Sequence, residues 1–133
     1  MEEVYHFCIP GEPARVFKSD NQSRHTMDTY IERKLICKVT LENQYPEKPI
    51  TTPIKAIFKF FLPITAKYRQ HRVSIVKLFE FANYTARGII YKEDYYLYDV
   101  SISKEYSTDP HTEIIIITNF NPKGGINDKQ KTK

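Results

Sequence analysis

One apolar pattern restricts the fold of this chain more than any other feature. Along residues 54–62, every second side chain on one face is apolar, and this two-residue period is typical of a β-strand. The side chains that share this face are Ile54, Ala56, Phe58 and Phe60. The four consecutive isoleucines at 114–117 predict a second strand, central in a sheet and buried on both faces. Such a chain needs a sheet and a layer that covers it.

Two segments with helical patterns lie between these strands. Thr29 and Glu32 match a capping box, and apolar residues follow at near-helical spacing to about residue 43. Ser74 is a good N-cap for a second helix, and Gly88 suits the left-handed position after its last turn. The apolar stripe of the second helix consists of Ile75, Leu78, Phe79, Ala82 and Ala86.

Two further strands complete the order of elements. Residues 4–9 predict the first strand, and residues 96–104 predict a later one, in which Tyr98, Val100 and Ile102 face inward. The order β-α-β-α-β-β predicts an α+β fold with two helices packed on a mixed sheet. We expect a single domain over residues 1–118, followed by a disordered basic tail over residues 119–133.

Length and cysteine content narrow the class of protein. At 133 residues the chain is long enough for one domain with one core. Cys8 and Cys37 lie in apolar surroundings, so we expect two buried thiols in a reducing compartment rather than a disulfide framework. No segment approaches the roughly 18 apolar residues of a membrane span, and no signal-peptide pattern begins the sequence. We therefore expect a cytoplasmic protein with no membrane partner.

Positive charge is concentrated in one part of the chain. Residues 51–80 carry six basic side chains and one acidic side chain, Glu80. The basic residues near its end, interleaved with Tyr68 and His71, are Lys67, Arg69, Arg72 and Lys77. A local basic stripe of this kind indicates a polyanionic partner. A solvated loop would give the same pattern, and both interpretations stay open.

Two adjacent carboxylates, Glu93 and Asp94, come just before the strand at 96–104. Oxygen ligands of this kind suit a divalent metal ion such as Mg²⁺ or Mn²⁺. A metal centre for phosphodiester cleavage needs a second group of carboxylates. Asp94 also has a simpler role open to it, since it can cap or cross-link the turn before the strand.

Five segments match a known family in their order and spacing. They are IPGEP at 9–13, HTMDTY at 25–30, GIIYKED at 88–94, SKEYS at 103–107 and TEIIII at 112–117. Together, over residues 4–118, they resemble the RusA family of phage-type Holliday junction resolvases. Members of that family are small dimeric nucleases that cut four-way DNA junctions with Mg²⁺ or Mn²⁺. The resemblance implies a homodimer, a branched or duplex DNA partner, and a phage or mobile-element origin.

The acids of the RusA family come from two motifs, and this chain keeps one of them. In the resemblance, Asp94 stands at the position of the catalytic aspartate, with Glu93 beside it. The other motif, Lys-Pro-Asp-x-Asp-Asn at the start of the second helix, is replaced by RVSIVK at residues 72–77. Ser74 and Val76 stand where its two aspartates would be.

These replacements favour an anion site over a metal site. Ser74 at a helix N-terminus, beside Arg72 and Lys77, presents backbone donors and positive charge, which attract phosphate and repel a divalent cation. We expect no metal cofactor, and the ligands of any Mg²⁺ or Mn²⁺ would be Asp94, Glu93 and Glu80. The expected DNA-contacting residues are Arg15, Lys18, Lys67, Arg69, Arg72, Ser74 and Lys77.

The sequence thus predicts a RusA-like DNA junction-binding protein that has lost its nuclease activity. An active Mg²⁺-dependent junction nuclease with a rebuilt site is one alternative. A protein-interaction or inhibitor module on the same fold is another. The nearby Tyr95 and Tyr96 could stack on bases, whereas Tyr98 is expected to pack in the core.

Overall fold

The computed structural model describes residues 2–14, 24–65, 73–119 and 121–122. Its elements are strand β1 (Glu3–Pro10), helix α1 (Arg24–Gln44), strand β2 (Ile54–Pro63), helix α2 (Ile75–Ala86), strand β3 (Leu97–Ser107) and strand β4 (His111–Thr118). A 3₁₀ turn, Asp94–Tyr96, precedes β3. The predicted order of elements is confirmed. Most of the predicted basic tail, namely residue 120 and residues 123–133, lies outside the described residues.

The four strands form one mixed sheet in the order β1-β4-β2-β3. β2 and β3 run parallel and are connected through α2, whereas β4 is antiparallel to both β1 and β2. Both helices contribute to a single core on one face of this sheet. The prediction of an α+β fold with two helices on a mixed sheet is therefore confirmed. Neither described helix is long and apolar enough to cross a bilayer.

The core lies between the two helices and the sheet. The inward residues of β2 are at most 1% exposed, which confirms the alternation predicted over residues 54–62. Cys37 and Leu41 of α1 and Leu78 of α2 are buried against them. Removal of this apolar surface from water is the main favourable contribution to folding.

β4 is central in the sheet, as predicted, but only one of its faces is buried. Ile114 and Ile116 are 0% exposed, whereas Ile115 and Ile117 are partly exposed. The prediction of burial on both faces is wrong because both helices lie on the same side. We call the other side the bare face; it consists of every second residue of 4–10, 55–61, 99–105 and 111–117.

α1 differs from the prediction in where it begins and in which side chains it buries. The helix begins at Arg24, so Thr29 lies inside it and the prediction of a capping box is wrong. Cys37 and Leu41 face the sheet. With about 3.6 residues per turn, this orientation turns four other apolar side chains to solvent, namely Ile31, Leu35, Ile36 and Val39.

Tyr98 was predicted in the core and instead is 59% exposed. The cause is an irregularity in the pairing of β2 with β3, since Ile54 pairs with Leu97 but Lys55 pairs with Asp99. Tyr98 is the extra residue of this bulge, and a bulge changes the direction of the side chain it carries. The inward positions predicted for Val100 and Ile102 are confirmed, because both pack against the core.

Cys8 was predicted as a buried thiol and is exposed. Phe7 and Ile9 occupy the inward positions of β1, and neighbouring side chains of a strand point to opposite faces. Cys37 is buried, as predicted. The two thiols therefore lie on opposite sides of the sheet.

Side chains of α1 close part of the free edge of β1. The Gln44 amide donates from Nε2 to the Cys8 carbonyl at 2.7 Å and accepts at Oε1 from the Cys8 N–H at 3.0 Å. Arg33 Nη2 donates to the Pro10 carbonyl at 3.0 Å. These bonds take the place of a neighbouring strand and limit strand addition at this edge.

Candidate functional site

The turn after α2 is fixed by hydrogen bonds. Gly88 has a φ of 87°, the left-handed conformation predicted for it, which strains residues with a Cβ. Its N–H donates to the Tyr91 carbonyl at 2.7 Å. The Tyr91 side chain is buried, and its hydroxyl donates to Asn83 Oδ1 of α2 at 2.7 Å. These bonds hold the two residues that flank the turn, Arg87 and Asp94, in defined positions.

Asp94 is paired with a cation. Arg87 Nη1 lies 3.5 Å from Asp94 Oδ2, and both side chains are about half exposed. Burial, together with the nearby Asp94 carboxylate, raises the pKa of the Tyr91 hydroxyl. Glu93 precedes the 3₁₀ turn, and its side chain makes no capping hydrogen bond there. Asp94 thus cross-links the turn, which is the simpler of the roles left open by the sequence.

Glu80 forms an ion pair on its own helix and is not grouped with the acidic residues before β3. Its Oε2 lies 3.9 Å from Lys77 Nζ on the same helix. Burial, followed by the charges of Tyr84 and the Glu80 carboxylate, raises the pKa of Tyr30 on α1. Within the described part of the chain, no three side chains of His, Cys, Asp or Glu form a group that could hold a metal ion.

The described residues around Asp94 do not fit an Mg²⁺ or Mn²⁺ centre. A divalent cation there would be repelled by the Arg87 guanidinium, which already neutralises the carboxylate. The structure does not group Glu80 with Glu93 and Asp94 as metal ligands.

The N-terminal end of α2 has the predicted cap. Ser74 Oγ accepts from the Lys77 N–H at 3.3 Å, so one of the free donors of the helix is already satisfied. The Lys77 ammonium pairs with Glu80. Lys104 of β3 donates from Nζ to the Val73 carbonyl, just before the cap.

The structure places only part of the predicted DNA-contacting set. Ser74 and Lys77 lie at the start of α2, whereas Asp94 contacts Arg87, the residue that ends it. The two parts of the predicted site are therefore at opposite ends of this helix. The remaining residues of the set lie outside the described residues; they are Arg15, Lys18, Lys67, Arg69 and Arg72.

A group of cations that sequence reasoning missed lies at the C-terminal end of α2. We call it the basic–aromatic cluster, and it consists of Lys34, Lys38, Tyr84 and Arg87. Lys34 Nζ lies 5.7 Å from the centre of the Tyr84 ring, and Arg87 Cζ lies 5.6 Å from the same centre. Both distances allow cation–π attraction. Tyr84 is exposed, so the cluster is accessible to a ligand.

Lys38 holds α1 to the end of α2. Its Nζ donates to the Tyr84 carbonyl at 3.1 Å and to the Thr85 carbonyl at 3.5 Å, where the helix dipole favours a cation. Burial, followed by the charges of Lys34 and Arg87, lowers the pKa of Lys38. Three cations are thus close enough to repel one another, and an anion bound among them would relieve that repulsion.

One feature of the sequence could have predicted part of this cluster. Lys34 and Lys38 are four residues apart in a predicted helix, which puts them on one face. Their meeting with Tyr84 and Arg87 depends on how α1 packs against α2, and no local pattern encodes that packing.

A second group of reactive side chains lies on the bare face, around His111. The His111 ring stacks on Phe61 with centres 4.3 Å apart. Its Nε2 is 2.9 Å from Glu113 Oε2, and its Nδ1 is 2.7 Å from the Asp109 carbonyl. Burial, then the Glu113 and Asp109 charges, raise the pKa of the nearby Cys8 thiol. The raised pKa favours the thiol form of Cys8, which is a poorer nucleophile than the thiolate.

Comparison with known proteins adds no family assignment. No protein-family model matches the chain, and a search of curated proteins finds no similar sequence.

Proposed function

We propose that this chain is a RusA-like DNA-binding protein that does not cut DNA, and that it acts as a cytoplasmic homodimer on branched or duplex DNA. The observation that carries the proposal is the basic–aromatic cluster, in which three cations surround an exposed tyrosine. It adjoins Asp94, the residue that the resemblance makes catalytic, through the Arg87–Asp94 ion pair.

The cluster is suited to a nucleic acid backbone. Lys34, Lys38 and Arg87 supply positive charge for phosphates, and phosphate contacts dominate the affinity of such proteins. An unpaired base can stack on the exposed ring of Tyr84 by displacing one of the two cations that lie over it. No group in the cluster is arranged to read base edges of one sequence, so we expect affinity without sequence preference.

The loss of nuclease activity follows from the same ion pair. Metal-assisted phosphodiester cleavage needs carboxylates that hold divalent ions beside the scissile phosphate. In this chain Ser74 and Val76 replace two of the expected carboxylates, and Arg87 neutralises Asp94. In this proposal the site attracts and positions phosphates without cutting the backbone.

Fluorescence anisotropy with a labelled four-way junction and a matched duplex tests the binding. We expect both DNAs to bind at low salt, with a salt slope of about −0.9 in log K per phosphate neutralised. Lys34→Ala should weaken binding and reduce the slope by about one, whereas Arg87→Ala should have a smaller effect, because Asp94 already pairs with this guanidinium. Lys48→Ala is the matched control, because it removes the same charge from an exposed loop position outside both the cluster and the bare face.

Two results would contradict the proposal. An absence of binding to either DNA at low salt would reject nucleic-acid binding. Cleavage of the junction by purified protein in Mg²⁺ or Mn²⁺, lost in Asp94→Asn, would instead establish the active junction nuclease.

A protein-interaction module is the second candidate, and one observation favours it. The solvent side of α1 carries apolar side chains at helical spacing, with more than two-fifths of each exposed: Ile31, Leu35, Ile36 and Val39. Exposed apolar patches of this kind mark contact surfaces for other proteins. If DNA binding fails, Leu35→Ser becomes the variant with which to test loss of a protein partner, because it removes the most exposed side chain of the group.

A further inference from the structure

We infer that two copies of this chain associate through their bare faces, about a two-fold axis that runs parallel to the strands and between β4 and β2. The inference rests on the homodimer of the proposed function and adds the surface that forms it. It does not depend on DNA binding, because the basic–aromatic cluster lies on the helical side of the sheet.

The two central strands of the bare face carry an apolar row next to a charged row. Ile115 of β4 lies directly opposite Ile57 of β2, and in the next row Glu113 lies opposite Lys59. All four side chains are only partly exposed. A sheet face that stays in water normally carries polar residues at its centre, so the two isoleucines indicate a face that becomes covered.

A two-fold axis parallel to the strands places each row of one copy over the same row of the other copy. It places β4 of one copy over β2 of the other and keeps each row level. Ile115 then meets Ile57 of the partner subunit, and Glu113 meets Lys59 of the partner subunit. By symmetry each contact occurs twice. The centre of the interface would hold two isoleucine pairs beside two acid–base pairs.

The other way to place two such faces together is unfavourable. An axis perpendicular to the strands reverses the order of rows, so that Ile115 meets Glu113 of the partner subunit and Ile57 meets Lys59 of the partner subunit. It also brings Asp99 toward Glu105 of the partner subunit. Apolar groups would then oppose charges, and like charges would meet, which disfavours association.

The size of the bare face suits a weak but specific dimer. Four strands about 4.8 Å apart and seven residues at about 3.3 Å each span about 19 by 23 Å. Both copies together would cover about 900 Å², which is below the range of stable specific interfaces and within that of weak, transient ones. The twist of packed sheets separates their corners, so the central rows carry the contact. We expect dissociation in the micromolar range.

Charge reversal tests the arrangement, because it separates contacts within a copy from contacts between copies. Glu113→Lys and Lys59→Glu each place like charges side by side in one subunit and, in the proposed dimer, across the interface. Mixing the two variants restores opposite charges across the interface but leaves each subunit unchanged. Sedimentation equilibrium measures the mass of each variant and of the mixture, and circular dichroism checks that each is folded.

We expect the wild-type chain to be a dimer, each variant alone to be a monomer, and the mixture to form a heterodimer. A wild-type monomer up to near-millimolar concentration would overturn the homodimer itself. Dimeric single variants would overturn the bare face as its surface while leaving the homodimer standing. Monomeric variants that do not combine would overturn the proposed axis. Loss of DNA binding alone would leave the inference intact.

Discussion

Neighbouring isoleucines of β4 lie in opposite surroundings, and the two faces of the sheet differ in the same way. Ile114 and Ile116 are fully buried beneath the helices, whereas Ile115 and Ile117 lie partly exposed on the bare face. One strand thus contributes to the core on one side and, on the other side, to the face that we propose as the dimer surface. An apolar run indicates that a strand is central, but it does not say what covers each face.

The helical side also carries the charges that we assign to DNA. Lys34, Lys38 and Arg87 gather where α1 meets the end of α2. The bare face instead carries charges in opposite pairs, such as Lys55 with Asp99. A surface with an excess of positive charge suits a polyanion, and a surface with alternating signs suits another copy of itself.

Substitution of matched isoleucines tests the difference between the faces most strongly. Ile116→Ala should lower the free energy of unfolding by about 2–5 kcal/mol, since it leaves a cavity in the core. Ile117→Ala should lower it by about 1 kcal/mol or less, as expected for a side chain outside the core. Urea denaturation at low protein concentration measures both. Equal losses would mean that the bare face is as well packed as the covered face.

The buried polar contact beneath the basic–aromatic cluster gives a smaller effect. Tyr91→Phe removes the hydroxyl that donates to Asn83 Oδ1 and leaves a buried acceptor unsatisfied, which costs about 1–3 kcal/mol. Tyr84→Phe is the control, because its ring is exposed and the cation–π contacts stay. Denaturation curves that coincide for Tyr91→Phe and the wild type would show that this contact does not hold the turn.

Several features with a local sequence signal were predicted correctly, whereas features that depend on tertiary packing were not. Alternation of apolar residues predicted β2, the run of four isoleucines predicted β4, and Ser74 and Gly88 marked the limits of α2, because these signals are local. The orientation of α1 was not readable, since its apolar residues occur around the whole helix. The Arg87–Asp94 pair and the meeting of Lys34 with Tyr84 depend on tertiary packing. A bulge at Tyr98 likewise has no signal in an alternating pattern.

Titration of His111 tests a weaker contact on the bare face, the one between His111 and Glu113. Hydrogen bonds to the Asp109 carbonyl and the Glu113 carboxylate raise the pKa of His111. Its protonated form therefore adds stability, which is fully present below the unfolded pKa of about 6.5 and lost as the pH rises through the higher folded pKa. In Glu113→Gln, NMR should show a lower His111 pKa, and the loss of stability should be up to about 1 kcal/mol at acidic pH. An unchanged pKa would refute the role of Glu113.

The central claim is that Asp94 pairs with Arg87 and does not bind a metal ion. The substitution Asp94→Asn tests this claim most directly. Removal of this carboxylate frees the guanidinium for phosphate, so the account predicts several-fold tighter junction binding at low salt. It also predicts a salt slope steeper by up to about 0.9, with no cleavage in Mg²⁺ or Mn²⁺ before or after the change. Asp94→Glu, which keeps the charge, is the control. Metal-dependent cleavage by the wild type that disappears in Asp94→Asn, or weaker junction binding by that variant, would contradict the account.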